Sequence, residues 1–181
     1  GRGSVVITVN GNAVILRHKY TTLDGLVFDG QYGAGDLIKS RIHDQNRPDY
    51  LIIRNTEVRR SGLDCIDLSD GDPDNVLIEN SLIHHCLWWN GGRKDAHGIT
   101  TAGNRVYNWI IRNVEIHTFS GDALQVNPDR GDWDNFLIEN SKFWVEPLPQ
   151  AEAGFPAGMM PAENAVDTKT CPSCVRARIT F

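Results

Sequence analysis

The side chains best equipped for chemistry fall in two stretches of this chain. Asp64, Asp67 and Asp70 recur at three-residue intervals, and carboxylates spaced this closely can offer several oxygens to a hard cation such as Ca²⁺. His97 closes the stretch Cys86-Leu-Trp-Trp-Asn-Gly-Gly-Arg-Lys-Asp95-Ala-His97. A neutral imidazole near its ordinary pKa is a workable general base, and Lys94 and Lys169 are the other candidate bases. Trp88 and Trp89 are adjacent, so they cannot both point into the core of a strand, and Gly91-Gly92 marks a loop. Exposed indoles beside Arg93 and Lys94 suit sugar binding: a flat apolar face for the ring and cations for a carboxylate. The equal alternative is that Trp88 and Trp89 together plug the loop onto the protein body.

A repeat must position these groups. Tyr50-Leu-Ile-Ile-Arg-Asn55, Asn75-Val-Leu-Ile-Glu-Asn80, Asn108-Trp-Ile-Ile-Arg-Asn113 and Asn135-Phe-Leu-Ile-Glu-Asn140 align without gaps, with a degenerate copy at Thr21-Thr-Leu-Asp-Gly25. The terminal asparagines are 25, 33 and 27 residues apart. Three residues further on, each copy reaches an apolar side chain: Phe28, Val58, Ile83, Ile116 or Phe143. A second element follows at Asp64–Ser69, His97–Ala102, Asp122–Asn127 and Asn164–Lys169, with an earlier copy at Asp36–Arg41. Its apolar positions recur with period two, the signature of strands. Such a unit cannot bury its own apolar face, but stacked units can. The fold class expected is all-β: a right-handed parallel β-helix of about six coils, one domain over residues 1–181. Leucine-rich repeats would show LxxLxL spacing, which is absent.

Two columns fix the register. Asp24, Arg54, Glu79, Arg112 and Glu139 alternate in sign from coil to coil, so stacking sets opposite charges together. Asn55, Asn80, Asn113 and Asn140 read as a ladder of bend residues whose amides satisfy backbone groups. The outward positions of the second element form a polar row, Lys39, Asp67, Thr100, Gln125 and Asp167, flanked by Asn127 and Lys169. The column before it is Asp64, His97, Asp122 and Asn164. Asp64 and Asp122 would orient His97 and raise its pKa. Two insertions, residues 84–96 and 144–163, fall at one corner of the coil. They are expected to wall the strand that begins at Asp122, where Asp122, Gln125, Asn127 and Asp167 would meet a ligand. His84 and His117 share a further column with Arg59 and Trp144 and read as surface residues.

Composition narrows the classes. The net charge of −5 argues against a nucleic-acid or anionic-membrane partner. No apolar run approaches a membrane span, the best being Val5–Val9. Four cysteines make no disulfide scaffold: Cys65 and Cys86 are far apart, and Cys171 and Cys174 form a single CxxC without a second ligand pair. The chain has no initiating methionine or signal peptide, and Arg178–Phe181 begins a further repeat. It is therefore expected to be a segment of a longer β-helix, truncated at both ends.

These coils resemble the pectin-lyase-like right-handed β-helix superfamily over the whole chain. The nearest motif, Asp64-Cys-Ile-Asp67, is similar to the Asp-Gly-aromatic-Asp calcium strand of family 9 pectate lyases. The resemblance implies a secreted polysaccharide lyase. Ca²⁺ at Asp64, Asp67 and Asp70 would neutralise a uronate in an acidic polymer, and a base would take the proton α to the carboxylate. Leu63 stands where the family has its first acidic residue, and Thr100 where it has its catalytic lysine, which leaves His97, Lys94 and Lys169 as replacements. Two alternatives stay open. One is an inverting glycoside hydrolase using Asp122 and Asp167, two coils and roughly 9–10 Å apart by strand spacing. The other is a non-catalytic adhesin, spike or carbohydrate-binding segment.

Overall fold

Runs of two to eight residues with one apolar face are too short to fold alone and must stack edge to edge. In the computed structural model they do so through six coils. The structure describes residues 5–91, 94–102, 105–126, 131–169, 173–174 and 176–181. The first coil holds β1 (Val5–Thr8), β2 (Val14–Leu16) and β3 (Thr22–Asp24). The second holds β4 (Leu26–Asp29), β5 (Ile38–Ser40) and β6 (Leu51–Arg54). The third holds β7 (Glu57–Ser61), β8 (Ile66–Asp67) and β9 (Val76–Glu79). The fourth holds β10 (Leu82–Cys86), β11 (Ile99–Thr101) and β12 (Arg105–Arg112). The fifth holds β13 (Glu115–Phe119), β14 (Leu124–Val126) and β15 (Asp132–Glu139). The sixth holds β16 (Lys142–Trp144), β17 (Val166–Thr168) and β18 (Arg176–Thr180).

Each strand pairs in parallel with its counterparts above and below, giving three six-stranded sheets. The first sheet runs from β1 to β16, the second from β2 to β17 and the third from β3 to β18. This is a right-handed parallel β-helix. The segment after each bend asparagine, expected only to reach an apolar residue, is a strand of its own and belongs to the first sheet.

The register follows the two columns. Asp24 pairs with Arg54, Arg54 with Glu79, Glu79 with Arg112 and Arg112 with Glu139. Arg54 Nε lies 2.8 Å from Asp24, and Arg112 Nε lies 3.6 Å from Glu79. The first pair is exposed and the second half-buried, and each contributes about 0.2–1 kcal/mol at most. Asn55, Asn80, Asn113 and Asn140 take φ of 52°, 51°, 51° and 48°, and Gly25 takes 70°. This left-handed conformation turns the third sheet into the first within one residue, and asparagine and glycine tolerate it best. Asn113 Nδ2 donates to Asn80 Oδ1 at 3.1 Å and Asn55 Nδ2 to Asp24 Oδ1 at 2.8 Å, so these amides bond side chains of the preceding coil.

The core is the interior of the coil. Ile53, Ile78 and Ile111 from the third sheet, Val58, Ile83 and Ile116 from the first, and Ile38, Ile66, Ile99 and Leu124 from the second are all buried. Burying one such side chain is worth about 1.5–3 kcal/mol. Cys65 and Cys86, both buried, are joined in a disulfide that ties the entry of β8 to the end of β10. Cys174 is disulfide-bonded too, while Cys171 lies outside the described residues. Bridging a 21-residue separation restrains the unfolded chain by about 3 kcal/mol. A Cys65→Ala, Cys86→Ala double variant should therefore lose about 2–4 kcal/mol in urea unfolding. Adding reductant should move the parent and leave that variant unchanged at this bond.

The two insertions meet rather than stand apart. Leu87 from the first and Leu148 and Phe155 from the second form a small buried cluster, with Tyr32, Trp88 and Ala153 packed on it. A Cβ on Gly91 would meet the Gly154 carbonyl oxygen at 2.8 Å, so the loops touch backbone to backbone. The expected pair of walls is one lobe.

Candidate functional site

The outer row of the second sheet is continuous. Lys39 pairs with Asp67, Asp67 with Thr100, Thr100 with Gln125 and Gln125 with Asp167. Strand spacing of roughly 4.8 Å makes this a polar line about 19 Å long. Asp67, Thr100 and Gln125 are nevertheless buried, so the line lies recessed.

The column before this row has a structural duty. Asp36 Oδ1 accepts the Asp64 backbone N–H at 3.2 Å, and Asp64 Oδ1 accepts that of His97 at 2.7 Å. His97 Nδ1 accepts that of Asp122 at 2.8 Å, and Asp122 Oδ1 accepts that of Asn164 at 3.0 Å. Each side chain thus satisfies the backbone of the next coil, and His97 substitutes for a carboxylate. Its Nδ1 lone pair is taken, which leaves Nε2 carrying the proton. Desolvation outweighs Asp122 and Asp95, so the His97 pKa is lowered, not raised as expected from the sequence. Asp122 is fully buried, and its Oδ2 accepts from Gln125 Nε2 at 3.1 Å. It lies beneath the face, not on it. Asp122 and Asp167 also belong to adjacent coils, because β14 pairs directly with β17. The two-coil separation expected of a hydrolytic pair is therefore not present.

Two of the aspartates proposed for Ca²⁺, Asp67 and Asp70, join Asp36 around an ammonium group. Lys39 Nζ lies 2.7 Å from Asp67, 2.9 Å from Asp36 and 3.6 Å from Asp70. Carboxylate oxygens of Asp36, Asp64 and Asp67 fall within 4.8 Å of one another, yet the centre of charge is already held. As arranged, these residues do not fit Ca²⁺: the lysine is their cation. Desolvation, opposed by the hydrogen bond from His97 and reinforced by Asp36 and Asp67, holds the Asp64 carboxyl well above 3.8. A raised folded-state pKa means that the native chain retains a proton the unfolded chain releases. That contribution is complete below 3.8 and is lost as pH rises through the native value. Asp64→Asn keeps an oxygen for the His97 N–H and removes the ionisation. Its urea midpoint should gain on that of the parent as pH rises from about 4 to about 8.

A cleft of about 380 Å³ opens where the insertions rejoin the second sheet, lined by Asp95, Ser120, Phe155, Met159, Met160 and Glu163 among others. Asp95 and Glu163 are both exposed at it. The Asp95 charge, then desolvation and Asp122, holds the Glu163 carboxyl above its ordinary range. Around this cleft the other expected residues divide. Trp88 packs into the lobe, with Lys94 Nζ 4.9 Å above its ring, while Trp89 is 45 % exposed. Lys169 Nζ pairs with Asp167 at 3.0 Å, which raises its pKa and keeps it charged. Arg93 and Asn127 lie outside the described residues.

A second cluster lies on the first sheet. The column Arg59, His84, His117 and Trp144 is in register. His117 stacks on His84 at 5.0 Å and on Trp144 at 4.4 Å. Burial pushes His84 down to about 4, which keeps its imidazole neutral. His85, at φ 57°, brings a second ring to the same place.

Sequence reasoning passed over Asp95 and Glu163. The available signal was positional, since each insertion ends in an acidic residue just before a strand of the second sheet. It also passed over His85, Glu57 and Glu152, which converge only in three dimensions. Fold and face together define the class as a parallel β-helix with a recessed polar row beside an insertion lobe. Comparison with protein-family models, curated proteins and solved structures found no match to this chain.

Proposed function

We propose that this chain is part of a secreted, carbohydrate-active β-helix of the pectin-lyase-like kind. An extended polysaccharide would lie along the second sheet and be cleaved at the insertion lobe. The observation that carries this reading is the Asp95–Glu163 pair in the cleft at the edge of a recessed polar row. A carboxyl whose pKa is raised by a neighbouring acid is suited to give a proton to a glycosidic oxygen, while a second carboxylate activates water or attacks the sugar. Trp89 offers a ring face to a sugar, and the buried disulfide agrees with an oxidising compartment. The face carries Asp67, Asp70, Asp95, Asp167 and Glu163 against Lys39, Lys94 and Lys169, and this favours a neutral or sparsely charged glycan.

A second reading, β-elimination from an acidic uronic-acid polymer, draws on the grouping of Asp36, Asp64 and Asp67. It requires Lys39 to withdraw so that Ca²⁺ can enter, and a base other than the Nδ1 of His97. The test is a panel of neutral and acidic polysaccharides, assayed for reducing ends and for ultraviolet absorbance of unsaturated products, with Ca²⁺ and with chelator. Reducing ends without unsaturation, lost in Glu163→Gln, support hydrolysis. A Ca²⁺-dependent rise in absorbance moves the assignment to elimination. Retention on a polysaccharide affinity gel without products leaves a non-catalytic binding segment.

A further inference from the structure

We propose that His84, His85 and His117 form a site for one divalent transition-metal ion, of which Zn²⁺ is the natural probe. This site lies on the first sheet, outside the cleft of the second. His84 Nδ1 and His85 Nδ1 face each other at 2.6 Å. Each ring is oriented from behind by a carboxylate: His84 Nε2 lies 3.2 Å from Glu57, and His85 Nε2 lies 3.6 Å from Glu152. The Glu57 carboxylate can only accept, so it holds the proton on His84 Nε2 and turns the His84 Nδ1 lone pair toward His85. His85 Nδ1 then donates to that lone pair across the 2.6 Å contact, and a metal ion would displace this proton to Nε2, beside Glu152, and take both Nδ1 atoms as ligands. The carboxylate–histidine–metal relay has this geometry, with the outer carboxylate fixing the tautomer and raising ligand basicity.

The remaining features agree. Ring nitrogens of all three histidines fall within 4.8 Å of one another. His117 donates or accepts through Nδ1 at Thr118 Oγ1, 2.9 Å away, and its ring must turn from the stack to present a nitrogen. Zinc–nitrogen bonds of about 2.0–2.1 Å in a tetrahedral shell set nitrogens roughly 3.3 Å apart, so the His84–His85 pair needs to open by less than about 1 Å. A shallow cleft of about 370 Å³ lined by Arg59, Arg60, His84, His85 and Glu152 gives access. Asp29 binds both Arg59 and Arg60, so with Glu57 and Glu152 three carboxylates face two guanidinium groups. The surroundings therefore favour an added cation. Imidazole donors select Zn²⁺, Cu²⁺ or Ni²⁺ over Ca²⁺ or Mg²⁺. A bound ion would fasten the second insertion, through Glu152 and His85, to β10 within the first sheet.

The test is calorimetric titration of the chelator-stripped protein with ZnCl₂, repeated on variants. One equivalent should bind with micromolar or tighter affinity. The His84→Ala, His85→Ala double variant should weaken it at least about 100-fold, and Glu57→Gln should weaken it about 10–100-fold. His43→Ala, distant from the cluster, should leave it unchanged. Circular dichroism of each variant checks that the coils remain folded. The same ZnCl₂ should raise the melting temperature of the parent and not that of the double variant. Failure of the parent to bind, or binding that survives the double substitution, overturns the proposal.

Discussion

Trp109→Ala should lower stability by about 3–5 kcal/mol, the usual cost of emptying a buried tryptophan site. Trp109 is 1 % exposed at the centre of β12 and stacks on Phe136 of the next coil at 6.0 Å. Its Nε1–H donates to the Pro73 carbonyl at 2.9 Å. Alanine opens a void spanning two coils and leaves that carbonyl unpaired. In a solenoid each coil is held only by its neighbours, so the loss falls on the interface between the fourth coil and those beside it. For a domain of this size the melting temperature should fall by about 10 °C or more. Trp109→Phe keeps the stacking and loses the hydrogen bond, and should cost about 1–3 kcal/mol. A melting temperature within about 2 °C of the parent for the alanine variant would show that the site does not carry this packing.

On the proposed hydrolytic reading, Glu163→Gln should reduce the rate of glycan cleavage by about 10²–10⁴-fold, the range for losing a general acid. The expected change is in kcat, with binding along the second sheet retained. The sign of a pH effect follows from the neighbours. A general acid acts when protonated, so activity falls as pH rises through its pKa. Asp95 raises that pKa and Lys169 lowers it. Lys169→Met should therefore move the alkaline limb of the pH–rate profile upward. A profile that stays in place, measured on the same substrate, would remove Glu163 from the role.

The fold was legible because each coil repeats the same few physical requirements. An αL corner needs asparagine or glycine, an inward position needs a branched apolar residue, and an alternating charge column tolerates only one register. These requirements recur at Asn55, Asn80 and Asn113 and at Ile66, Ile99 and Leu124, so errors in one copy are corrected by the others. The site was legible only in part. The row from Lys39 to Asp167 followed from strand register. Its depth did not, and Asp122 proved to be a buried anchor for Asn164 and Gln125. His97 looked catalytic by type, yet its position repeats the backbone-accepting duty of Asp36 and Asp64. Lys39 was placed in the row opposite Asp67, but that its ammonium also gathers Asp36 and Asp70 depends on side-chain placement that register alone does not give. The insertions have no repeat to read against, so the meeting of Leu87 with Leu148 and Phe155 had no sequence signal.

The alternating column of the third sheet sets a parity rule for adding or removing coils. Removing the single coil that contributes Glu79 would lay Arg54 directly against Arg112, and like charges on facing strand positions are destabilising. Removing two neighbouring coils, those of Glu79 and Arg112, would set Arg54 against Glu139 and restore attraction. Duplications obey the same arithmetic. Along this edge the solenoid should therefore tolerate the loss or gain of two coils better than of one, by the small margin that such charge pairs carry.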